Sequence, residues 1–428
     1  MNLPQRIRGA LVRAPRPVFT LYGGLMAFGA YFAMYAFRKP FTVGSFAGAP
    51  HIVIDYKIAL VIVQVFGYAL SKVAGIKLIS EMPPHRRAVA ILALIGTAEI
   101  FLALFALIPP PFNIACLFGN GLMLGMIWGL VFGFLEGRCV SEVLGAMLCA
   151  SFIVSSGAVK SVGEWVMLMD WATEYWMPAV TGLLFFPLLL ICVAGLAVMP
   201  PPSPEDERLR VARAPMDAPA RRDMFLAFAP GLIALVAVYV GLTALRDFRD
   251  NFAADIWASL GFGHDAGLFT LSELPVAAIV LVMLGALMFI RDNRRAFLAN
   301  LLLVAAGLAL DGLASLGFQA HVIGPVTWMV ALGAGLYIAY TPFNALLFDR
   351  FVAASGRSGT AGFLIYVADA CGYLSSVALL VFYNFVGLKL SWVSFLIEVS
   401  YVAAVAGLAL VAGAAVYFHR RLPDVRFY

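Results

Sequence analysis

The stretch that decides the fold is MYAFRKPF at positions 34–41, where Arg38 and Lys39 end an apolar run that begins near Val18. A run of about 20 apolar residues crosses the roughly 30 Å hydrocarbon layer of a membrane as an α-helix. Two cations at the end of such a run are costly unless they meet an anion, an interior cavity or the membrane interface. The stretch therefore predicts a spanning helix with a charged end.

A second stretch, LRDFRD at positions 245–250, ends the apolar run 225–245 in the same way, and its Arg246 follows Arg38 by 208 residues. Offsets of 208 to 212 residues also relate Arg86-Arg87 to Arg294-Arg295, Arg138 to Arg350, Lys160 to Asp369, and Glu99 to Asp311. A repeat of about 210 residues predicts two structurally equivalent halves. The tendency of loop arginines to lie on one side of the membrane would by itself explain the matching arginines in the loops. It would not explain the match of Arg38 with Arg246, which lie on the side that is poor in arginine.

The composition is that of a polytopic membrane protein, because 63% of the 428 residues are hydrophobic and only 12% are charged. The net charge of +5 does not indicate nucleic-acid binding, since the basic residues lie in short loops between apolar runs. The first apolar run is too long for a cleaved signal peptide, so we expect it to remain as a span. The five cysteines lie in or beside spans, and their spacing predicts no disulfide, metal or other cofactor.

The hydropathy pattern predicts an all-α membrane protein with twelve transmembrane helices in two pseudo-symmetric six-helix bundles. The first six spans are predicted at 18–37, 56–79, 88–108, 112–135, 141–163 and 176–198. The second six are predicted at 224–245, 265–290, 296–317, 324–348, 360–386 and 391–418. The domains expected are an N-terminal bundle at 1–199, a polar linker at 200–223 and a C-terminal bundle at 224–428.

Lysine and arginine are distributed unevenly between the two sides of the predicted spans. The side that holds the termini and the linker carries 21 of them, and the other side carries six at most. Those six are Arg38, Lys39, Lys57, Arg246, Arg249 and Lys389. Because positively charged loops remain in the cytoplasm, we expect a multi-pass protein of the plasma (inner) membrane with both termini and the linker cytoplasmic.

Four motifs resemble the organophosphate:phosphate antiporters of the major facilitator superfamily. They are YAFRK at 35–39, GYALSK at 67–72, Leu245-Arg246 followed by an acidic residue and Trp257, and GTAGF at 359–363 through GYL at 372–374. The resemblance implies the major facilitator fold and a central cavity in which Arg38 and Arg246 hold the phosphate of a substrate. It also implies that Lys72 is a neighbouring cation, and we place Tyr35 and Gln64 in the same binding site.

The chain departs from the pattern of that family at several places. The fifth-span histidine has no counterpart, and the loop after the second span reads EMPPHRR at 81–87, a loose version of the family motif. Three carboxylates, Asp247, Asp250 and Asp255, crowd Arg246. These departures put the substrate in question more than the fold, and they leave room for a separate branch of the superfamily.

Arginine suits a phosphate or carboxylate, because its planar fork donates two parallel hydrogen bonds and keeps its charge when dehydrated. Two arginines from opposite halves could hold one dianion and couple its binding to rocking of the halves. The alternative for Arg38 and Arg246 is that they snorkel to the membrane interface. For Arg249 we predict an ion pair with Asp250, and Asp250 could also partly neutralise Arg246 from one helical turn away.

Two lysines lie inside predicted spans, where an ammonium group needs a cavity or a carboxylate. They are Lys72 and Lys160, and Lys160 occupies the span that matches the span of Asp369 in the other half. We predict that Lys160 and Asp369 form an ion pair between the halves, which either breaks during transport or is static.

Carboxylates inside spans are candidates for coupling or gating, because a membrane carboxylic acid can exchange a proton near neutral pH. The candidates are Glu99, Glu273, Asp311 and Glu398. Glu273 is the first choice because Pro275 frees backbone groups beside it. A structural role, bonded to a neighbour, is the alternative for each of them.

No hydrolase, zinc-protease or nucleotide-binding signature occurs in the sequence, so we do not expect an enzyme. The composition and motifs favour a secondary active transporter that moves a small organic anion by alternating access, and a phosphate ester is one candidate substrate. The alternative is a membrane sensor on the same fold that binds a ligand without transporting it. The expected partners are a small anionic solute and membrane lipid, with no nucleic acid, and we expect a monomer.

Overall fold

The computed structural model describes residues 3–50, 54–80, 82–136, 138, 140–203, 206, 218–263, 265–356, 361–385 and 390–422. Within these ranges the secondary structure is helical, without a β-strand. Lys389, Glu81 and the first two residues of the motif at 359–363 lie outside them.

Twelve of the described helices are long and apolar enough to cross a membrane, which confirms the predicted number of spans. The first six are α1 Arg16–Tyr35, α2 Tyr56–Ser80, α3 Pro84–Leu107, α4 Ile114–Leu124 continued by Ile127–Phe132, α5 Ser141–Leu168 and α6 Met177–Ala197. The second six are α7 Ala229–Asn251, α8 Ala266–Met288, α9 Asn293–Gln319, α10 Pro325–Ala345, α11 Ala361–Phe385 and α12 Trp392–Arg421. We call α1–α6 the N-bundle and α7–α12 the C-bundle.

Shorter helices precede, connect or extend the spans. They are Leu3–Arg13, the 3₁₀-helix Pro40–Val43, Ala218–Ala227, Ala253–Ser259 and Leu347–Ser355. The largest difference from the predicted spans is at α7, which ends at Asn251 instead of at residue 245. The charges of LRDFRD therefore lie inside the last turns of a helix. The helix continues through them because most of these side chains find partners within the protein, as described below.

The two ends of the helix assembly differ in how the bundles are joined. We call the end where α1 begins and α12 ends the termini end, and the opposite end the far end. Near the far end the backbone nitrogen of Asp55 donates to Asn384 Oδ1 at 3.2 Å. Farther from the far end, between α5 and α8, the hydroxyl groups of Ser161 and Thr270 lie 2.6 Å apart. Polar contacts between the bundles thus close the far end.

Close packing between α2 and α4 positions the side chains that matter for the site. A Cβ atom at Gly121 would lie 2.2 Å from the carbonyl oxygen of Gln64, and one at Gly125 would lie 2.4 Å from that of Tyr68. Both contacts are with backbone atoms, so only glycine allows the two helices to approach this closely. Between the bundles, α5 packs on α8 and α2 packs on α11.

Candidate functional site

Arg38 lies in the turn after α1, and amide side chains of α2 and α4 hold the backbone there. Gln64 Nε2 donates to the Arg38 carbonyl oxygen and to Asn120 Oδ1, both at 2.9 Å. Asn120 Nδ2 donates to the Phe37 carbonyl oxygen at 2.9 Å. These bonds satisfy carbonyl groups that the end of α1 leaves open. Gln64, predicted as a binding residue, therefore has its amide NH₂ group engaged by the protein itself.

The Arg38 side chain turns into the interior, and the residue is only 4% exposed. Its Cζ lies 3.8 Å from the centroid of the Tyr68 ring and 5.8 Å from that of Tyr35. No carboxylate of the described residues forms an ion pair with it. Its Nε is also buried without a hydrogen-bond partner in that part of the chain. A buried guanidinium with aromatic faces and no counter-anion is a strong receptor for an anion.

Arg246, in α7, occupies a similar environment but has a carboxylate beside it. Its Nη2 and Nε donate to Asp247 Oδ1 at 2.6 and 3.1 Å, and the Arg246 Cζ lies 4.3 Å from the centroid of the Tyr340 ring. The other oxygen of Asp247 accepts from Ser376 Oγ at 2.8 Å. Arg38 is buried, and the Arg246 side chain is only 12% exposed and lies against Asp247 and Tyr340, so the snorkelling alternative does not apply. Asp247, instead of Asp250, neutralises part of the charge of Arg246.

Tyrosine rings lie against both arginines. This tyrosine cluster consists of Tyr31, Tyr35, Tyr68, Tyr239, Tyr340 and Tyr373, all of them buried. The rings of Tyr68 and Tyr373, one from each bundle, lie 5.1 Å apart, and those of Tyr239 and Tyr340 also lie 5.1 Å apart. The cluster connects Arg38, over Tyr68, with Arg246, over Tyr340. The two guanidinium groups therefore line one region between the bundles.

Lys72 and Asp369 form an ion pair between the bundles at the termini-end edge of the tyrosine cluster. The Lys72 Nζ lies 5.0 Å from the centroid of the Tyr373 ring, and Asp369 also accepts a hydrogen bond from the Tyr239 hydroxyl. Each of the two charged residues is about 12 Å from the termini end of its helix, at 1.5 Å per residue. The predicted pair of Lys160 with Asp369 is therefore wrong, because Asp369 lies too near the termini end to meet Lys160.

The Lys72–Asp369 pair is one ion-pair junction between the bundles. Asp250 forms a second junction, nearer the far end. Its carboxylate pairs with Lys39, and it accepts from Lys160 Nζ at 2.6 Å. Ser156 Oγ also donates to it, and Lys39 Nζ donates to Asn251 Oδ1 at 2.7 Å. One C-bundle carboxylate thus holds two buried lysines of the N-bundle.

Arg249 does not pair with Asp250, so that prediction is wrong. Its Nη1 donates to Glu273 Oε1 at 2.8 Å, and its Nη2 donates to the Met329 carbonyl oxygen at 3.1 Å. Adjacent residues on a helix point about 100° apart, which directs Arg249 into the C-bundle and Asp250 toward the N-bundle. The sequence could not separate these directions without knowing where α7 ends.

The model of the family described as "Family of unknown function (DUF5690)" matches residues 40–421 of the chain. The chain belongs to the DUF5690 family. A comparison with curated proteins found no match.

The structure of this DUF5690 member is similar to solved structures of transporters. A crystal structure of the peptide transporter POT matches with a TM-score of 0.57 and 17% identity, covering 96% of this chain and 96% of that one. A crystal structure of a D-xylose-proton symporter matches with a TM-score of 0.62 and 14% identity, covering 95% of this chain and 98% of that one. At these identities the likeness establishes a shared fold. It confirms the predicted major facilitator architecture of two six-helix bundles in a multi-pass membrane protein.

The charged groups around the tyrosine cluster and its neighbouring ion pairs do not balance in this DUF5690 member, when the buried acids Glu99 and Asp311, which lie elsewhere in α3 and α9, are left out. Between and beside the bundles, the described residues include the cations Arg38, Lys39, Lys72, Lys160, Arg246 and Arg249 and the carboxylates Asp247, Asp250, Glu273 and Asp369. Six cations face four carboxylates, so in their ordinary charged forms this group carries two excess positive charges. Arg38, the cation without an ion pair in this group, is also the one placed against the tyrosine cluster.

Three carboxylate candidates remain: Glu398 is exposed on α12, whereas Glu99 and Asp311 lie within α3 and α9. Glu99, in α3, has an oxygen so close to Gly182 of α6 that a Cβ there would be 2.5 Å from it. Asp311, in α9, lies against the Gly335 backbone of α10. Both have buried oxygens without a hydrogen-bond partner among the residues described. They lie in the third span of each bundle, α3 and α9.

Three features of the site escaped the sequence interpretation. Tyr35 was the one member of the tyrosine cluster predicted as a binding residue, Asn120 was not considered, and Asp247 was not recognised as the partner of Arg246. Tyr31 and Tyr35 lie one helical turn apart, which is the signal that could have predicted a shared tyrosine face. In the described ranges, His, Cys, Asp and Glu side chains do not come together in a group of three that could hold a metal ion.

Proposed function

We propose that this protein is a secondary active transporter that carries a small organic anion by alternating access, with a phosphate ester as the leading candidate. The proposal rests on the environment of Arg38. It is buried, lies against Tyr68, and lacks an ion pair among the described residues. Burying an uncompensated guanidinium costs several kcal/mol, so such a group persists where a ligand supplies the missing charge.

The charge balance supports a divalent anion over a neutral or monovalent solute. The excess of two positive charges would be neutralised by one phosphate monoester or dicarboxylate. Arginine's forked donors fit such an anion, and the hydroxyl groups of the tyrosine cluster could bond the rest of the molecule. The resemblance of YAFRK and GYALSK to the organophosphate:phosphate antiporters points to the same class. Dicarboxylates satisfy the same charge requirement and belong in the same test.

The two ion-pair junctions support alternating access. Asp250 joins the bundles near the far end, while Lys72 and Asp369 join them nearer the termini end. We place the termini end in the cytoplasm. Breaking one junction while the other holds would expose the site to each side in turn.

The first experiment is binding to the purified full chain, measured as a thermal shift with inorganic phosphate, glycerol 3-phosphate and succinate. Arg38→Ala should weaken binding of the anion that shifts the wild type by about 100-fold or more. The reason is that it removes a charge-assisted contact worth roughly 3 kcal/mol. Arg38→Lys keeps the charge but loses the planar fork, so it should restore only part of the affinity.

Arg86→Ala serves as the matched control, because Arg86 is exposed at the start of α3. Unchanged binding in Arg38→Ala, with the same protein yield as the control, would contradict the proposed site. Uptake into proteoliposomes then separates a transporter from a sensor. Saturable binding without flux in the wild type would favour the sensor.

A further inference from the structure

The ammonium group of Lys72 has spare hydrogen-bonding capacity beside the tyrosine cluster. An ammonium group has three donors, and among the described residues Lys72 bonds to Asp369 alone. Lys39, at the other junction, pairs with Asp250 and also donates to Asn251 Oδ1 at 2.7 Å. Lys72 is thus held at its junction by a single carboxylate, whereas Lys39 has a second acceptor.

Asp369, in contrast, has a partner that stays with it when Lys72 leaves. Lys72 bonds to its Oδ2, and the Tyr239 hydroxyl donates to its other oxygen, Oδ1. Tyr239 belongs to α7, in the same bundle as Asp369, and its hydroxyl lies 2.8 Å from that of Tyr340. A carboxylate that keeps such a bond is less costly to separate from its lysine than one left without a partner. The C-bundle side of the pair therefore stays bonded when the pair opens.

Lys72 and Arg38 lie against one aromatic ring of the N-bundle. The Arg38 Cζ is 3.8 Å and the Lys72 Nζ is 5.6 Å from the centroid of the Tyr68 ring. The two charged centres are therefore no farther apart than the sum of these distances. A phosphate group has oxygens on several sides and can bond to an arginine and a lysine at once. An anion held by Arg38 is thus close enough to attract Lys72 as well.

The number of charges on the anion decides whether it can compete with Asp369. Arg38 and Lys72 carry two positive charges, of which Asp369 compensates one and Arg38 has no ion pair among the described residues. A monoanion supplies one charge, which Arg38 alone can take up. A dianion supplies two charges and can compensate both cations. Because like charges repel at short distance, the two cations come together at least cost around a dianion.

We propose that Asp369 is a resident counter-ion of Lys72 that a bound dianion replaces, so that binding itself opens the Lys72–Asp369 junction. The unloaded protein has the junction closed, as in the structure. When a dianion binds to Arg38, Lys72 moves from Asp369 to the anion, and Asp369 remains with Tyr239. The bundles then separate at this junction while Asp250 holds them nearer the far end. The inference rests on the proposed transport function and supplies the step that links binding to movement of the bundles.

The exchange is tested by the affinity of the purified full chain for glycerol 3-phosphate, inorganic phosphate and succinate. Asp369→Asn removes the competing charge, so the anion that binds the wild type should bind about tenfold more tightly, because Lys72 no longer has to be released. Asp369→Glu keeps the charge and should bind like the wild type. In a Lys72→Met background, Asp369→Asn should bring no gain. A gain of the same size in that background, or no gain with Lys72 present, would overturn the proposal.

Asp255→Asn is the matched control, because it removes a carboxylate that also joins the bundles but pairs with Lys57 at the opposite end of α2. It should leave the affinity nearly unchanged, and a gain equal to that of Asp369→Asn would contradict the proposal. If none of the three anions binds the wild type or any variant, the proposed function falls and the inference with it. If they bind without a gain in Asp369→Asn, the inference alone falls. Binding by Asp369→Asn but not by the wild type would support the inference.

A second measurement keeps Lys72 and Asp369 and does not depend on the folding of a variant at either position. Spin labels are placed on Leu78→Cys in α2 and on the native Cys371 in α11, both exposed positions, in a background without the other four cysteines. Pulsed electron paramagnetic resonance then gives the distance between the labels. Addition of whichever of the three anions binds should lengthen this distance, and should leave it unchanged in Arg38→Ala. A distance that does not respond to a bound anion would overturn the proposal while leaving the binding site in place.

Discussion

The N-bundle and the C-bundle have the same architecture but opposite charges where they meet. Each ion pair that joins the bundles in the described residues has its lysine in the N-bundle and its aspartate in the C-bundle. These pairs are Lys39 and Lys160 with Asp250, Lys57 with Asp255, and Lys72 with Asp369. The arginines of the C-bundle instead pair within their own bundle, with Asp247 and Glu273.

This difference explains why the two matching arginines are not equivalent. Arg38 is followed by Lys39, and Arg246, 208 residues later, is followed by Asp247. The repeat preserves the arginine and reverses the sign of its neighbour. Arg246 is thus partly neutralised, whereas Arg38 has no ion pair among the described residues. Pseudo-symmetry of the backbone provides two matching cations, and asymmetry of charge decides which of them has a carboxylate beside it.

The largest effect is expected from removing the carboxylate that holds two lysines. Asp250→Asn leaves Lys39 and Lys160 buried without a carboxylate, which should destabilise the form of the protein in which the far end is closed by about 3–5 kcal/mol. Cross-linking between Asp55→Cys and Asn384→Cys, in a background without the native cysteines, reports on that form, because these residues are in contact there. We expect cross-linking to fall sharply, and exposed Asp265→Asn, at the start of α8, to leave it unchanged. Full cross-linking in Asp250→Asn would mean that the junction does not hold the bundles together.

A smaller effect is expected at the Lys72–Asp369 pair, because Asp369 keeps its hydrogen bond from Tyr239 when the lysine is removed. Lys72→Met should cost about 2–3 kcal/mol and lower the midpoint of thermal unfolding. Exchanging the two residues, Lys72→Asp with Asp369→Lys, should recover part of that loss if opposite charge between the bundles is what matters. An exchanged protein as unstable as the sum of the single variants would show that the surroundings recognise each residue separately.

The smallest effect is expected at Lys57 and Asp255, whose atoms lie 2.7 Å apart but whose carboxylate is 23% exposed. Water and salt screen such a pair, so Lys57→Ala should cost about 1 kcal/mol or less. The same cross-link should decrease slightly, and the difference from wild type should shrink further at high salt. A loss comparable to that of Asp250→Asn would show that the far-end rim, instead of the buried junction, closes the protein.

Much of the architecture could be predicted from the sequence, because hydropathy and spacing act locally. Twelve spans followed from apolar runs, and the burial of Lys72 and Lys160 followed from their positions inside those runs. The partners could not be predicted in the same way. Arg249 was assigned to its neighbour Asp250, and Lys160 to Asp369 in the matching span. Both assignments failed because proximity along the chain, or in a repeat, does not set the direction of a side chain.

The sequence by itself determined that this is a two-bundle membrane protein with charged residues placed inside it, since the cost of polar groups in a hydrocarbon layer acts on every residue separately. Only the tertiary structure decided which charges meet. That depended on where α7 ends, on how closely glycines let α2 and α4 approach, and on which rings pack against Arg38. A buried charge is stabilised by the few groups within hydrogen-bonding distance, and only the folded chain brings those groups together.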